Sequence, residues 1–222
     1  MKRIGIVVFM MIMMFCNDAY AQDGVRYGSV LGMNLSSLAL TNGSTFPSGT
    51  LSYPLKIGAS GGLMVDIPVS RSIYINCSIL YSWRQPTLIL QNPDKDVLVE
   101  KDIFTSSIIE IPAHLGYRFQ VNDSFGILLD AGPSIMYRIN RKFRQQNQLS
   151  NNKQTNTKEE MDGRIKRFDV GVGVSAGVDF HNKYRLSIGY DWGLLDVVET
   201  AITNQKYNFN NRNLYIRIAY LF

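Results

Sequence analysis

The feature that most constrains this chain is a period of two that recurs along almost its whole length. The segment FDVGVGVSAGVDF, residues 168–180, is the clearest case. Its even-numbered positions hold Phe, Val and Ala, whereas its odd-numbered positions hold Asp, Gly and Ser. Successive side chains of a β-strand point to opposite faces. The sequence therefore predicts strands with one apolar face and one face of small or acidic residues.

Eight segments carry this alternation, and the connections between them alternate in length. The segments are residues 25–38, 55–67, 72–84, 105–119, 125–139, 167–180, 184–195 and 212–222. Short turns are predicted at 68–71, 120–124 and 181–183, and long connections at 39–54, 85–104, 141–166 and 196–211. We expect the connection 85–104 to extend its two flanking strands as a hairpin beyond the barrel. Short turns at one end and long loops at the other predict an all-β, eight-stranded antiparallel up-and-down transmembrane β-barrel.

Two kinds of barrel fit such alternation, and the polar face decides between them. A soluble barrel has its apolar face inside, whereas a membrane barrel turns that face outward to lipid. Here the polar face is mostly Gly, Ser and isolated charges, which suit the narrow interior of an eight-stranded barrel. Aromatic residues also lie near the ends of the apolar faces, as in interfacial girdles. They are Tyr27, Tyr81, Trp83, Tyr117, Phe119, Phe168, Phe180, Tyr184, Trp192 and Phe222. The sequence favours the membrane barrel.

The first 21 residues have the layout of a cleaved secretory signal. Lys2 and Arg3 precede an apolar run over residues 4–15, and Ala19-Tyr20-Ala21 forms a small-x-small cleavage site. Bulky Phe15 before Cys16 disfavours lipid attachment to that cysteine. We therefore expect a signal peptide at 1–21 and an outer-membrane barrel domain at 22–222, exported to the outer membrane of a Gram-negative bacterium.

Charge and cysteine content exclude several classes of protein. The formal net charge is +5 at pH 7, and removal of Lys2, Arg3 and Asp18 with the signal leaves +4. So mild an excess does not indicate a nucleic-acid partner. Cys77 is the one cysteine outside the signal, so an internal disulfide is excluded.

Several motifs resemble the outer-membrane β-barrel family described as porin-like or PorT-like. Glu110-Ile111-Pro112 followed by an alternating run to Tyr117 matches the family, as does Gly132-Pro133 on the next strand. The spaced residues Asp169, Gly171, Gly173 and Gly177 and the final Phe222 agree with it as well. The resemblance covers the chain after the signal and implies the fold more strongly than a function. It also implies a type IX secretion or envelope-assembly role as an alternative, since the best-known relatives serve there.

The polar faces supply most of the candidate site residues. We expect a lumen network of Arg26, Lys56, Asp66, Arg84, Glu110, His114, Arg118, Asp130, Arg138, Asp169, Asp179, Arg185, Asp191 and Arg217. Seven of these are Lys or Arg and six are Asp or Glu, so the charges nearly balance. Such a set could form an ion path, but the balance favours a pairing network that fills the barrel. Glu110 and His114 lie about 13 Å apart along one strand, too far to form an acid–base pair.

The remaining candidates lie at the two ends of the barrel. The segment 141–166 carries seven Lys or Arg and three Asp or Glu, and Arg141, Lys142 and Arg144 are candidate contacts for lipopolysaccharide or acidic glycans. The alternative is a loop whose charges only keep it soluble. The last strand must pair with the first, because an open edge in lipid leaves backbone groups unsatisfied. Its end, with Tyr220 and Phe222, resembles the signal read by barrel-assembly machinery.

Three function classes follow. We expect a non-enzymatic outer-membrane protein with a structural or surface-interaction role through long extracellular loops, without cofactor, metal or catalytic residues. Its expected partners are outer-membrane lipid, lipopolysaccharide and the assembly machinery, with secretion-system components in the PorT-like alternative. A small diffusion pore is the third class, although eight strands leave little room for one.

Overall fold

The computed structural model describes residues 24–40, 51–92, 97–149, 153–159, 166–202 and 205–222. They form eleven strands: β1 (Arg26–Leu40), β2 (Leu51–Ser52), β3 (Lys56–Pro68), β4 (Ile73–Arg84), β5 (Thr87–Asn92), β6 (Val97–Asn122), β7 (Phe125–Leu149), β8 (Lys153–Glu159), β9 (Phe168–Phe180), β10 (Tyr184–Ile202) and β11 (Gln205–Leu221). The signal peptide expected at 1–21 lies outside the described residues and stays a prediction.

Eight of these strands close a barrel. The order around the wall is β1, β3, β4, β6, β7, β9, β10 and β11, and every neighbouring pair is antiparallel. β11 returns to β1 in continuous register from Leu221 opposite Gly28 to Phe209 opposite Leu40. The amide of Phe222 donates to the carbonyl oxygen of Tyr27 at 2.9 Å. Closure leaves the barrel wall without a free edge, which confirms the predicted eight-stranded up-and-down barrel.

The distribution of exposure is inverted relative to a soluble protein. Outward-pointing Leu31, Ile79 and Ile218 are 72%, 62% and 62% exposed, whereas inward-pointing Asn34 and Asp169 are completely buried. The polar face of each strand therefore points into the lumen, and the apolar face forms the outer surface of the barrel. This is the arrangement of a barrel in lipid, and it decides against the soluble alternative. Across the described residues, helices long and apolar enough to cross a membrane are absent.

Aromatic side chains form two belts on the outer surface. The lower belt, at the short-turn end, includes Tyr27, Tyr117, Phe119, Phe180, Tyr184, Tyr220 and Phe222, and the upper belt includes Tyr81, Trp83, Tyr137, Phe168 and Trp192, all of them exposed. The rings of Phe125 and Phe180 lie 5.2 Å apart. From Phe168 to Phe180 a strand spans about 40 Å, or roughly 30 Å along the membrane normal at the usual tilt. The belts are thus separated by about the thickness of a bilayer core.

The short turns lie where the sequence places them. The turn after β9 uses positive φ angles at His181 (50°) and Asn182 (55°), and the Lys183 amide donates to the Phe180 carbonyl at 3.0 Å. Asn and His are among the non-glycine residues that adopt this conformation most readily. After β6 the Ser124 amide donates to the Asn122 side chain at 2.9 Å. Local turn chemistry thus fixes this end of the barrel.

The long connections contain more strand than the sequence predicts. The expected hairpin in 85–104 is confirmed, because β5 pairs with the first half of β6. The connection 141–166, expected to be a polar loop, instead continues β7 to Leu149 and pairs it with β8. Likewise, β10 and β11 extend into the fourth connection and pair up to Ile202 and Gln205. Beyond the barrel, β2, β5, β6, β7 and β8 form a hydrogen-bonded sheet, which we call the extracellular sheet.

Candidate functional site

The base of the lumen, at the short-turn end, holds three guanidinium groups around two carboxylates. Asp66 pairs with Arg26, with Arg118 at 2.8 Å and with Arg185 at 3.1 Å. Asp179 binds the same three arginines, at 3.3, 3.5 and 2.7 Å respectively. Arg185 on β10 thereby reaches Asp66 on β3, which is not a neighbouring strand. This base cluster ties the wall together through the interior and closes its lower end.

Tyr74 connects the base cluster to the centre of the lumen. The guanidinium carbons of Arg118 and Arg185 lie 5.1 and 5.3 Å from the centre of its ring, within cation–π range. Its hydroxyl donates to Asp130 Oδ2 at 2.9 Å. The ring lies over Gly116, its partner across the β4–β6 ladder, where a Cβ would overlap it. Glycine at that position therefore makes room for a buried aromatic ring.

The central lumen is organised by Asp130. His114 Nδ1 lies 2.7 Å from Asp130 Oδ1, and the Ser175 hydroxyl donates to the same oxygen at 2.7 Å. Nearby, the Asn213 amide donates to Asp191 at 3.1 Å. His114 and Asp130 resemble two members of a catalytic triad, but Ser175 bonds the carboxylate and not the imidazole. A nucleophile activated by histidine contacts the second ring nitrogen, whereas Ser175 contacts Asp130.

The outer half of the lumen carries a second set of ion pairs. Buried Glu110 pairs with Arg84 and lies 3.5 Å from Arg217. Arg138 lies 3.4 Å from Asp169 and donates to the Lys166 carbonyl at 3.2 Å. Lys56 is half-buried on the inward face of β3. Glu110 and His114 thus belong to different clusters, consistent with their expected separation.

Apolar side chains cover the outer mouth. Leu38, Phe104 and Phe209 are 3%, 4% and 0% exposed on inward faces of β1, β6 and β11. Tyr53, which precedes β3, places its ring 6.0 Å from that of Phe209. We call these four residues the mouth layer. An interior cavity of about 40 Å³ lies below it, lined by Arg217, His114 and Tyr215 among others, and holds a few waters at most.

The structure places all fourteen sequence-predicted lumen residues on inward faces and brings all of them except Lys56 into hydrogen-bonded or ion-paired clusters. It also shows inward residues that the sequence analysis missed. They are Tyr74, Tyr215, Leu38, Phe104, Phe209 and an apolar cluster of Val30, Met64, Leu80, Ala219 and Leu221. Phe104 could have been found from the sequence, because every second residue of a strand lies on the same face and Phe104 shares the inward face of β6 with Glu110 and His114.

The basic residues predicted at the rim all lie just beyond a bulge in β7. The register of β6 and β7 shifts between Ser107 and Ile108, so that Arg141 lies opposite Ser106. After this shift Arg141 is half-buried and Lys142 is exposed. The backbone of Arg144 pairs with Ile103 and Lys158. Strand alternation thus puts Arg141 and Lys142 on opposite faces of β7, and Lys142 is exposed on the extracellular sheet.

The candidate assembly residues lie at the opposite end. Tyr220 and Phe222 are both about half exposed on the outer surface, and their rings are 5.9 Å apart. Within the described ranges, there is no group of three or more His, Cys, Asp or Glu side chains placed to hold a metal ion. Cys77 is unpaired and only partly exposed.

Comparison with known proteins adds a family match. A family model described as outer membrane protein beta-barrel domain matches residues 20–199. No curated protein matches the chain at a significant level. Among solved structures, Ail of Yersinia pestis is 10% identical, with 90% of this chain and 99% of that chain covered and a TM-score of 0.41. OprG of Pseudomonas aeruginosa is 11% identical, with 89% and 94% covered and a TM-score of 0.46. Neisserial surface protein A is 12% identical, with 90% and 100% covered and a TM-score of 0.42.

Proposed function

The chain belongs to the outer membrane protein β-barrel family and resides in the outer membrane of a Gram-negative bacterium, and from that premise we propose a non-enzymatic protein that acts at the cell surface. Its role is structural or one of surface interaction, and it is carried by the extracellular strands. The apolar wall contacts membrane lipid. The barrel is the anchor that holds those strands at a fixed height above the membrane.

The observation that carries this proposal is the extracellular sheet. β6 begins at Val97 and β7 ends at Leu149, so both continue well past Trp83 and Tyr137 of the upper belt. Their pairing runs from Ser106 opposite Arg141 outward to Glu100 opposite Asn147. A backbone-paired platform presents side chains more rigidly than a loop does, which lowers the entropic cost of binding.

The composition of this platform favours an anionic partner. The segment 141–166 has four more basic than acidic residues, and this equals the formal excess expected for the chain without its signal. Lys142 is exposed there. Phosphate groups of lipopolysaccharide and acidic glycans are the anions found at this surface, and clustered Lys and Arg attract them.

The closed interior supports a surface role over a diffusion pore. The base cluster fills the lower end, the mouth layer covers the upper end, and a cavity of about 40 Å³ lies between them. A pore would require these groups to separate, which would leave buried charges unpaired. A role in secretion or envelope assembly stays a prediction from the resemblance, and a stable complex with secretion components after purification would favour it.

The test neutralises two basic residues of the extracellular sheet and compares the effect on binding with that of neutralising two basic residues in the short turns. We predict that Lys142→Gln combined with Arg144→Gln weakens binding to lipopolysaccharide several-fold at about 0.1 M salt, because two contributors to the local field are removed. Surface plasmon resonance on protein in lipid nanodiscs measures this. Arg141 stays unchanged because it is half-buried.

The matched control is Arg71→Gln combined with Lys183→Gln, two exposed residues in the short turns. It removes the same charge from the periplasmic end and should leave binding unchanged. Equal binding by both double variants and the native protein would refute the glycan interaction. An equal loss in both would mean that only net charge matters.

A further inference from the structure

An open groove of about 460 Å³ crosses the lipid-facing surface of β4, β6, β7 and β9. It forms where β7 carries a short side chain, Ala131, between two longer ones on the neighbouring strands. Ala131 lies opposite Leu115 on β6 and opposite Val174 on β9, and these two residues are 60% and 41% exposed. Ligand pockets in proteins have volumes of roughly 300–1,000 Å³. The groove is therefore large enough to hold a ligand.

The groove covers about half the height of the apolar band. Its lower end lies at Ile73 and Tyr117, and Tyr117 belongs to the lower belt. Ala131 lies six residues from Phe125, at the short-turn end of β7, and six residues from Tyr137 in the upper belt. It is therefore near the middle of the wall. Because the belts are separated by about the thickness of a bilayer core, the groove spans one leaflet, the one on the periplasmic side.

The surroundings of the groove indicate what fills it. Most of its lining surface is apolar, and it is continuous with the part of the wall that contacts hydrocarbon. An empty groove would forfeit the dispersion contacts that a filled one makes. An acyl chain is thin, flexible and already present in this leaflet, so it can fill the space between two rows of side chains. The occupant indicated is therefore a lipid chain.

A basic residue lies beside the lower end of the groove. Arg71 is exposed in the short turn before β4, two residues before Ile73. Two hydrogen bonds fix this turn: the Ser70 amide donates to the Ile73 carbonyl at 3.0 Å, and the Ile73 amide donates to Ser70 Oγ at 3.1 Å. A guanidinium group binds phosphate through two parallel hydrogen bonds. Arg71 thus supplies a contact for a lipid phosphate at the end where a chain leaves the groove.

We propose that the groove and Arg71 together form a site for one glycerophospholipid of the periplasmic leaflet. One acyl chain lies along Ala131 between Leu115 and Val174, and Arg71 binds the phosphate. A lipid in this site is held at one place on the barrel, whereas lipids on the rest of the wall exchange with the bilayer.

Photolabelling distinguishes this site from ordinary lipid contact. A phosphatidylglycerol with a diazirine in one acyl chain is added in equimolar amount to the native protein in detergent, and the labelled peptides are identified by mass spectrometry. We expect more label on peptides that contain Leu115, Leu129 and Val174 than on peptides from β1, β10 and β11. Label spread evenly over the outward faces of all strands would overturn the proposal. This measurement requires no substitution, so it does not depend on a variant that folds.

Native mass spectrometry counts the phospholipids that stay bound when the barrel leaves detergent. The native protein should retain one, and Ala131→Phe should reduce the retained fraction several-fold because its ring fills the groove. Ala59→Phe is the matched control, since Ala59 is exposed on the outward face of β3 and does not line the groove. It should retain the lipid as the native protein does. Equal retention by the native protein and Ala131→Phe would refute the site. A dimer without bound lipid would assign the groove to a second copy of the chain and refute it as well.

Arg71→Gln tests the phosphate contact separately, because it leaves the groove unchanged. We expect it to reduce the retained phosphatidylglycerol several-fold. Lys183→Gln removes an exposed basic residue from the turn between β9 and β10 and should have no effect. Equal losses in the two variants would mean that net charge alone attracts the lipid, and would contradict the assignment of the phosphate to Arg71.

Discussion

At the scale of single residues, the interior charges are held by a few carboxylates that each serve several strands. Asp66 is the clearest case, since it binds guanidinium groups from β1, β6 and β10 while being 1% exposed. In a narrow lumen such a carboxylate cannot be replaced by water without leaving three guanidinium groups, of which Arg185 is buried, short of a counter-charge. The base cluster is therefore a single unit, and damage to one member affects all of it.

Asp66→Asn tests this coupling with little change of shape. We expect a loss of about 3–5 kcal/mol in the free energy of unfolding, because the variant removes the partner of a buried charge. Urea unfolding of the protein in lipid vesicles, followed by tryptophan fluorescence, measures the loss. Asp123→Asn, in the exposed turn after β6, is the control and should change the value by less than about 0.5 kcal/mol. Equal effects of the two variants would show that the base cluster does not stabilise the fold.

The alternation of residues along a strand identifies the face on which a side chain lies but not the side chain that it contacts. The inward position of Asp130 follows from alternation, whereas its contact with His114 depends on the register of β6 against β7. The pairing of Arg185 with Asp66 depends further on the width of the closed barrel, because the two strands are not neighbours. Such contacts follow from the closed geometry and have no local signature in the chain.

At the scale of the strands, the alternation that predicts them comes from their surroundings. Where lipid lies on one side and the lumen on the other, period two is strong, as in β9. Above the membrane neither face of a strand contacts lipid, so nothing requires the outer part of β7, RKFRQQNQL, to alternate between apolar and polar residues. This explains why the predicted strands end correctly at the short turns but too early at the extracellular end.

The last strand makes a prediction of its own. The backbone N–H of Phe222 donates a hydrogen bond to the Tyr27 carbonyl and so helps to close the barrel, and Phe222 also ends the candidate assembly signal with Tyr220. We predict that Phe222→Ala lowers the amount of protein in the outer membrane several-fold while leaving refolding into detergent intact, since the backbone bond remains. Quantitative immunoblots of outer-membrane fractions measure the first effect, and heat-dependent electrophoretic mobility measures the second.

Phe119→Ala is the matched control, because Phe119 is an aromatic residue of the same lower belt with nearly the same exposure, 49% against 47%. It should reduce neither quantity appreciably. If both variants assemble at the native level, Phe222 is an ordinary belt residue and carries no assembly signal.

At the scale of the whole molecule, the protein has polar side chains inside and apolar side chains on its outer surface, the reverse of a soluble protein. Most of its charged lumen groups pair with one another, and its apolar side chains face lipid in a band bounded by two aromatic belts. Both ends of the lumen are closed by side chains, whereas the strands continue on the extracellular side. The barrel thus provides a stable anchor, and variation in function is left to the extracellular sheet.

The most direct test of this inverted arrangement uses the two tryptophans of the chain, Trp83 and Trp192. Both lie outward in the upper belt, 39% and 37% exposed. Tryptophan fluorescence is measured after reconstitution into lipids that carry bromine, a contact quencher, either near the headgroup or deep in the acyl chain. The structure predicts strong quenching that is greater for shallow than for deep bromine, because both indoles face lipid near the interface. Fluorescence unaffected by either lipid would place both indoles inside the barrel and contradict the assignment of its two faces.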